Sequence, residues 1–159
     1  MRNILFVCLG NICRSPLAEA IFKHQVRQKG LENHWIADSC GTADYHIGDR
    51  PDPRTVRNAL KNGISIQHIG RQFDRKDFDR FDLILAMDKS NLAHLLRLAG
   101  SDRHLAKLKL VRSYEAHSSN DEVPDPYYGS EKDFQEVFEI LNRSISGLLA
   151  AMEKEKANS

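Results

Sequence analysis

The sequence predicts one α/β domain built around a parallel β-sheet. Its 159 residues match the usual length of a single domain. Short apolar runs rich in strand-forming residues alternate along the chain with segments of helical periodicity, an order typical of a parallel sheet with crossover helices. Because no repeat or linker divides the chain, we expect one domain over residues 1–156 and a tail at 157–159.

The first unit is a strand, a short loop and a helix. Residues 4–7 are continuously apolar, which is typical of a strand buried on both faces. The turn-forming residues 8–14 follow. Ser15 and Pro16 then form a helix-start pattern, with serine as the N-cap and proline at the first helical position. Gly30 is expected to end this helix.

Three more strands and three more helices follow in alternation. The further strands are predicted at residues 35–38, 82–87 and 108–111. The further helices are predicted at residues 54–61 and 90–98 and, with the clearest apolar periodicity, through residues 134–152. The charged residues 153–159 are expected to be solvated and frayed. Loops as long as residues 112–130 are often functional.

Composition excludes several classes of protein. Lys and Arg number 23 against 22 Asp and Glu, so the basic excess of a broad nucleic-acid-binding surface is absent. No apolar run approaches the roughly 20 residues of a membrane span, and the apolar start is too short for a signal peptide. The three cysteines do not suggest a secreted disulfide scaffold. We therefore expect a cytoplasmic chain with reduced thiols and no membrane or nucleic-acid partner.

The loop after the first strand is the predicted ligand site, because ligands of open α/β sheets bind beyond the carboxyl ends of the strands. Cys8 ends the strand, and Arg14 lies six positions later, before the helix. Backbone N–H groups of such a loop can form an anion-binding nest, and the helix N-terminus adds positive dipole charge. The guanidinium of Arg14 can bind two phosphate oxygens. Gly10 and Asn11 tolerate the left-handed dihedrals that a tight loop needs.

These surroundings make Cys8 a candidate nucleophile. A helix N-terminus and a nearby cation favour the thiolate, and Ser15 can donate a hydrogen bond to it. The alternative is that Cys8 is a buried apolar residue and Arg14 a surface charge. A nucleotide-binding phosphate loop needs Gly, four residues and Gly-Lys-Ser/Thr, which the chain lacks. No cysteine pairs with a histidine at zinc-finger spacing, so no metal is expected.

The long loop supplies a candidate general acid. Expelling a phenolate is costly because the pKa of tyrosine is about 10, and a carboxylic acid that protonates the bridging oxygen removes that cost. Among the acidic residues of the loop, Asp125 is favoured because Pro126 stiffens the chain beside it. Tyr127 and Tyr128 can form the wall of a slot for an aromatic ring. The alternative is an ordinary Asx-Pro turn with surface tyrosines.

These residues resemble the low-molecular-weight protein tyrosine phosphatases over nearly the whole chain. The resemblance is carried by Val-Cys-Leu-Gly-Asn-Ile-Cys-Arg-Ser-Pro at 7–16 and Asp-Pro-Tyr-Tyr-Gly at 125–129, with blocks at 38–39, 51–54, 63–68 and 81–88. It implies a four-stranded parallel sheet with helices on both faces, no metal or cofactor, and a cysteinyl-phosphate intermediate. The implied substrates are phosphotyrosine-containing proteins and small aryl phosphates, with inorganic phosphate as product or inhibitor.

The same resemblance implies the catalytic roles. Cys8 is the nucleophile, Arg14 binds the phosphate, and Asp125 is first the acid and then the base that activates water. The implied phosphate-binding residues are Leu9, Gly10, Asn11, Ile12, Cys13 and Arg14.

Supporting roles also follow from the resemblance. Asn11, Ser39 and His68 match a network that holds the loop in shape. Ser15 matches a residue that assists departure of the thiolate. Cys13 matches the second loop cysteine, which in this family traps the nucleophile as a reversible disulfide under oxidation.

The substrate slot departs from the family pattern. Tyr45 stands where many members carry Trp, so the implied slot is lined by Tyr45, Tyr127 and Tyr128. Its width and peptide preference are therefore open. Cys40 stands where a small residue other than cysteine is expected, and we interpret it as a small core residue.

Three other functions fit parts of this pattern. Arsenate reduction on the same fold needs a relay of further cysteines, but residues 82–89 hold none and none follows Cys40. Protein-arginine phosphatases of the family carry Thr where this chain has Ile12, and a branched apolar residue suits an aryl phosphate better. The third is a non-catalytic phosphate-binding or redox-sensing module, but nucleophile, anion-binding group and acid occur together here, and phosphate binding alone would need neither Cys8 nor Asp125.

Overall fold

A four-stranded parallel sheet forms the centre of the molecule in the computed structural model, which describes residues 2–158. The strands are β1 (Arg2–Cys8), β2 (Trp35–Gly41), β3 (Leu83–Ala86) and β4 (Leu108–Leu110). Their order is β2-β1-β3-β4, and every neighbouring pair is parallel. The predicted fold class is confirmed, with the first strand at an inner position where both edges are hydrogen-bonded.

Six α-helices and one 3-10 turn accompany the strands within residues 2–158, and the turn and the last helix follow the final strand. The helices are α1 (Arg14–Gln28), α2 (Pro53–Lys61), α3 (Asp77–Arg80), α4 (Lys89–Leu98), α5 (Asp102–Leu105) and α6 (Glu131–Ala157), and the 3-10 turn is Val111–Tyr114. The two four-residue helices were not predicted, because one helical turn leaves no periodicity in the sequence. Within the described part of the chain, no helix combines the length and apolarity needed to cross a bilayer.

Helices cover both faces of the sheet, as the resemblance implies. Along β1, Phe6 packs into an apolar cluster with α1 and α6, whereas Leu5 packs into a second cluster with Phe78 and Leu95. Residues 4–7 are thus continuously apolar because alternate side chains enter two different cores. This packing fixes the end of β1, from which the loop of residues 8–14 leaves.

The structure corrects two predicted element ends. Helix α1 begins at Arg14 with Cys13 at its N-cap, so Ser15 is not the cap and Pro16 is not the first helical residue. The Ser15 hydroxyl instead faces Cys8, because the loop runs directly into the helix and turns this side chain inward. Residues 153–157 are helical rather than frayed, and their ion pairs include Arg2–Glu155.

The other boundaries differ by smaller amounts. Strand β2 continues three residues past the predicted end at 38, because its end pairs with β1 in a register that places Gly41 opposite Cys8. Val111, predicted to end the fourth strand, begins the 3-10 turn that opens the long loop. The division into a domain at 1–156 and a tail at 157–159 stays a prediction, and residue 159 lies outside the described residues.

Candidate active site

The loop of residues 8–14 is fixed by hydrogen bonds to the backbone beside β2. The Thr42 N–H donates to the Cys8 carbonyl at 2.9 Å, and the Ala43 N–H donates to that of Leu9 at 3.0 Å. A side chain at Gly41 would place its Cβ 2.7 Å from the Leu9 oxygen, so only glycine allows this approach. The loop also contains Asn11 in the left-handed region, with φ of 58°. A preformed loop, rather than a mobile one, therefore connects β1 to α1.

The Cys8 sulfur lies at the base of this loop and is almost fully buried. Its Sγ is 2.9 Å from the Ser15 hydroxyl oxygen and accepts a hydrogen bond from the Asn11 N–H at 3.3 Å. The Asn11 N–H and the Ser15 hydroxyl are thus two hydrogen-bonding groups beside this sulfur. The structure thus brings the predicted nucleophile and the predicted Ser15 donor into contact.

Asn11 is the centre of a hydrogen-bond network beneath the loop. Its amide nitrogen donates to Ser15 at 2.8 Å and to Ser39 at 3.1 Å. Its oxygen accepts from the Arg71 N–H at 3.0 Å and lies 2.7 Å from His68 Nε2. Because all four neighbours constrain one amide, the left-handed backbone of Asn11 is held from several directions. The predicted supporting residues are therefore together, although their role stays a prediction.

Glu19 extends this network and was missed by the sequence analysis. Its Oε1 accepts from Ser39 at 2.7 Å and lies 3.2 Å from His68 Nδ1, while Lys23 binds Oε2 at 2.5 Å. Burial raises the pKa of this carboxyl, but its hydrogen bonds to His68, Lys23 and Ser39 outweigh burial and hold the pKa below the usual value. The sequence feature that could have identified Glu19 is its position four residues after Ser15, which places both side chains on one face of α1.

Arg14 lies under the pocket with only 3% of its side chain exposed. It donates to Asp88 at 2.7 Å and to the Val123 carbonyl at 3.0 Å. Burial lowers the pKa of Arg14, but the charges of Cys8, Asp88 and Asp125 outweigh burial and raise it. Asp88 was not predicted. Asp88 comes after the end of β3, which pairs with β1. The carboxyl ends of neighbouring parallel strands lie at the same edge of the sheet, which brings Asp88 close to the loop that follows β1.

Asp125 faces the same site from the long loop. Its Oδ2 is 3.7 Å from Arg14 Nη2, and 45% of its side chain is exposed. Its Oδ1 accepts from the Tyr127 N–H at 3.1 Å, which is an Asx turn. The segment therefore contains the Asx turn of the alternative interpretation and also places one carboxylate oxygen near Arg14, while the role of Asp125 as general acid stays a prediction.

A pocket of about 300 Å³ brings the predicted residues together. Its lining comprises Cys8, Leu9, Gly10, Ile12, Cys13, Arg14, Tyr45, His46, Asp125, Tyr127 and Tyr128. The predicted supporting residues Asn11, Ser15, Ser39 and His68 are not in this lining, and their contacts place them around the loop. His46 is the lining residue that was not predicted. Its ring is held by Asp49, at 3.0 Å from Nδ1.

Two aromatic side chains form the outer wall of this pocket. The rings of Tyr127 and Tyr128 meet edge to face at 5.0 Å. The Arg54 guanidinium lies 5.4 Å from the Tyr127 ring and pairs with Asp52. Tyr45 stands mostly exposed at the rim. The slot is thus aromatic and open to solvent, which suits a ring entering from outside.

All three cysteines are free. Cys13 lines the pocket but is largely buried, and burial raises its pKa to about 12. Cys40 is fully buried in the core, as predicted, and its pKa is likewise raised by burial. At neutral pH both side chains are therefore neutral thiols.

One group of potential metal ligands occurs within residues 2–158. Glu19, Asp38 and His68 each place a ligand atom within 4.8 Å of the others. These atoms belong to the network around the loop, and Lys23 and Arg71 already bind the two carboxylates. The expectation of no metal and no cofactor stays a prediction.

Comparison with known proteins identifies the family. A sequence model described as low molecular weight phosphotyrosine protein phosphatase matches residues 3–158. The chain belongs to this family. A Gallus gallus protein named low molecular weight phosphotyrosine protein phosphatase is 46% identical to this phosphatase over 150 residues, 94% of each chain.

Solved structures agree with this assignment. The crystal structure of a protein tyrosine phosphatase from Entamoeba histolytica superposes on the phosphatase with a TM-score of 0.94 at 38% identity, over 98% of this chain and 99% of that one. A Drosophila arginine phosphatase superposes with a TM-score of 0.89 at 34% identity, over 96% and 98% of the two chains. The predicted family and the predicted hydrolase class are confirmed.

Proposed function

We propose that this phosphatase hydrolyses phosphotyrosine in proteins, and small aryl phosphates, through a cysteinyl-phosphate on Cys8. The observation that supports this most strongly is the convergence of Cys8, Arg14 and Asp125 on one pocket, with 3.7 Å between the guanidinium and the carboxylate. A nucleophile, an anion-binding group and an acid are the three groups that the reaction needs.

The phosphate group of the substrate binds inside the loop. Backbone N–H groups of residues 9–14 and the guanidinium of Arg14 bind its three non-bridging oxygens. Asp88 keeps Arg14 in place, because it binds the same guanidinium at 2.7 Å. Inorganic phosphate offers the same oxygens, and we expect it to inhibit as the product.

In the first step, the Cys8 sulfur attacks phosphorus and the bond from phosphorus to the tyrosine oxygen breaks. Asp125 gives its proton to that oxygen, so tyrosine leaves as a neutral phenol. The N–H groups and Arg14 stabilise the charge on the equatorial oxygens. The slot formed by Tyr45, Tyr127 and Tyr128 receives the ring of the leaving group.

In the second step, water attacks the phosphorus of the cysteinyl-phosphate. Asp125, now a carboxylate, takes a proton from the water while the sulfur–phosphorus bond breaks. The Ser15 hydroxyl, 2.9 Å from the sulfur, stabilises the departing thiolate. Asn11, Ser39 and His68 act as positioning residues, because they hold the loop and do not line the pocket.

Oxidation offers a way to regulate the same site. Peroxide converts the Cys8 thiolate to a sulfenic acid, and the Cys13 thiol then displaces hydroxide to form a disulfide and release water. Both cysteines line the pocket, which gives peroxide a path to the buried pair. Reduction by two thiols restores the nucleophile. We expect a cytoplasmic location, where thiols are kept reduced.

Phosphoarginine is the second candidate substrate, because the Drosophila structural relative is an arginine phosphatase. Ile12 lines the pocket and places a branched apolar side chain beside the site of the leaving group. This surface favours a phenyl ring over a charged guanidinium.

The test compares phosphotyrosyl and phosphoarginyl versions of one peptide at equal concentration. We expect kcat/KM to be higher for phosphotyrosine, and arsenate to cause no thiol-dependent turnover. Greater hydrolysis of the phosphoarginyl peptide would assign the second function. Absence of hydrolysis of both, in a chain with a native circular dichroism spectrum, would contradict the proposal.

A further inference from the structure

A second and larger concavity lies beside the candidate active site. We call it the basic groove. It measures about 940 Å³, roughly three times the volume of the pocket, and no residue lines both. The lining residues that carry the argument are Lys23, Arg50 and Arg57, which are basic, and Val56, Ile66 and Ile69, which are apolar.

The charges of this groove are not balanced. Its acidic residues, Glu19 and Asp38, are bound by Lys23 and by Arg71. Arg50 and Arg57 are exposed, and neither forms a salt bridge or a side-chain hydrogen bond with any residue from 2 to 158. The charge of Arg57 also lowers the pKa of Asp52 and of Glu131, but no carboxylate forms a salt bridge or a hydrogen bond with it in the described residues. The planar fork of each guanidinium suits a carboxylate of a ligand.

The groove also offers apolar surface. The side chain of Ile69 is more than half exposed, and Val56 and Ile66 are partly exposed. A single inorganic anion would leave this surface uncovered. The combination instead fits an extended peptide segment that carries acidic side chains beside at least one apolar side chain.

Residues 46–50, a short segment held by backbone hydrogen bonds, separate the groove from the pocket. His46 lines the pocket and Arg50 lines the groove, so an extended chain of four residues, at most about 14 Å, bounds the distance between their backbones. The Gly48 N–H donates to the Gly70 carbonyl at 2.9 Å, and the Gly70 N–H donates to the Asp49 backbone carbonyl at 2.8 Å. This rim is therefore held in place between two adjacent binding surfaces.

We propose that the basic groove docks an acidic, partly apolar segment of the protein substrate, a few residues from its phosphotyrosine. The inference rests on the proposed function and specifies its substrate class. Carboxylates of the segment pair with Arg50 and Arg57, and its apolar side chain covers Ile69. Because these contacts lie outside the reacting centre, they lower KM for such substrates and leave hydrolysis of a small aryl phosphate unchanged.

The test uses phosphotyrosyl peptides with glutamates four to six residues before or after the tyrosine, and matched peptides with glutamines. The variant is Arg50→Glu with Arg57→Glu. The control is Arg75→Glu with Arg103→Glu, which reverses two exposed charges outside the groove and changes the net charge equally. Nitrophenyl phosphate serves as the substrate without a peptide segment.

For the native chain we expect kcat/KM to favour one glutamate peptide over its glutamine match by roughly three- to tenfold, the scale of two exposed charge pairs. The groove variant should lose that preference, with an unchanged rate on nitrophenyl phosphate, while the control keeps it. An equal preference in all three proteins, or no preference in the native chain, would overturn the inference.

A measurement of peptide binding tests this inference independently of the proposed function. The same peptides are titrated into the Cys8→Ser chain by fluorescence anisotropy, with and without the groove substitutions. Tighter binding of a glutamate peptide that depends on Arg50 and Arg57 supports docking, even if no peptide is hydrolysed. Loss of hydrolysis with intact docking would contradict the proposed function alone.

Discussion

Two of the loops that line the pocket are held in opposite ways. Residues 8–14 are mostly buried, and their side chains and backbone contact Ser39, His68 and the chain beside β2. Residues 125–128 are mostly exposed and are held by local turns, with Tyr127 N–H on Asp125 and Gly129 N–H on Pro126. Tyr128 is 97% exposed.

This difference fits the tasks that we propose for the two loops. Stabilising charge on a phosphoryl group requires donors that are already in place, because reorganisation during the reaction costs free energy. Delivering a proton to leaving groups of different shape instead suits a segment with few tertiary contacts and low local stability. We therefore expect the phosphate loop to be preorganised and the acid segment, whose tertiary contacts include those with Arg14 and Arg54, to adjust more readily.

Among the substitutions in these two loops, Cys8→Ser should cause the largest loss of activity. Removing the nucleophile should lower kcat on nitrophenyl phosphate by roughly 10⁴-fold or more. The substitution should leave the thermal midpoint close to that of the native chain, because serine fits the same space. Cys40→Ala, which removes a buried sulfur outside the pocket, is the control and should keep activity. Native rates in Cys8→Ser would refute the assignment.

Asp125→Ala should have the next largest effect, and one that depends on the leaving group. Loss of a general acid typically costs about 10²- to 10⁴-fold in rate. We expect a smaller loss for nitrophenyl phosphate than for phenyl phosphate, since nitrophenolate leaves readily without a proton. Asp121→Ala, in the same exposed loop, is the matched control. A loss of equal size on both substrates would contradict the role of acid.

Asn11→Ala tests whether the phosphate loop depends on its network. The change leaves Ser15, Ser39 and His68 without the shared amide and places alanine at a positive φ. We expect about 1–3 kcal/mol less stability in denaturant unfolding and roughly tenfold to 10²-fold lower kcat. Asn120→Ala, in the long loop, should alter neither. Unchanged stability and kcat in Asn11→Ala would show that the loop keeps its conformation without the hydrogen bonds of Asn11.

Glu19→Gln should act on stability in a pH-dependent way. The folded-state pKa of Glu19 lies below its usual value of 4.5, so the carboxylate stabilises the fold above that pH. This contribution is lost as the pH falls through the folded-state pKa. The difference in free energy of unfolding between native and variant chains should therefore be full near pH 7 and shrink in acid. A difference that grows in acid would contradict the network.

The smallest effect is expected at the exposed end of the acid segment. Tyr128→Ala removes an aromatic side chain that contacts Tyr127 and little else. KM for a phosphotyrosyl peptide should rise by only about two- to fivefold, the scale of one aromatic contact, with kcat unchanged. A loss comparable to that of Asp125→Ala would mean that this segment is as constrained as the phosphate loop.

Sequence reasoning could single out residues 8–14 as a candidate phosphate loop, and the structure places most of them in one pocket, because the signals for this loop are local. An apolar strand, turn formers and a helix start follow one another within residues 4–16. Asp88 and Glu19 were missed because their partners lie on other elements, and only the strand order and the buried face of α1 bring them together. Ser15 fits two local patterns, and only the path of the loop decides between a cap and a thiolate contact.

The proposed function requires that the sulfur of Cys8 carries the phosphoryl group during turnover. Rapid acid quench of the native chain with nitrophenyl phosphate, followed by trypsin and fragmentation mass spectrometry, tests it directly. Cys8 and Cys13 share one tryptic peptide, so fragment ions must assign the position. We predict one added phosphoryl group on Cys8, absent from Cys8→Ser. A phosphoryl group on Cys13, or none in a chain that is turning over, would contradict the account.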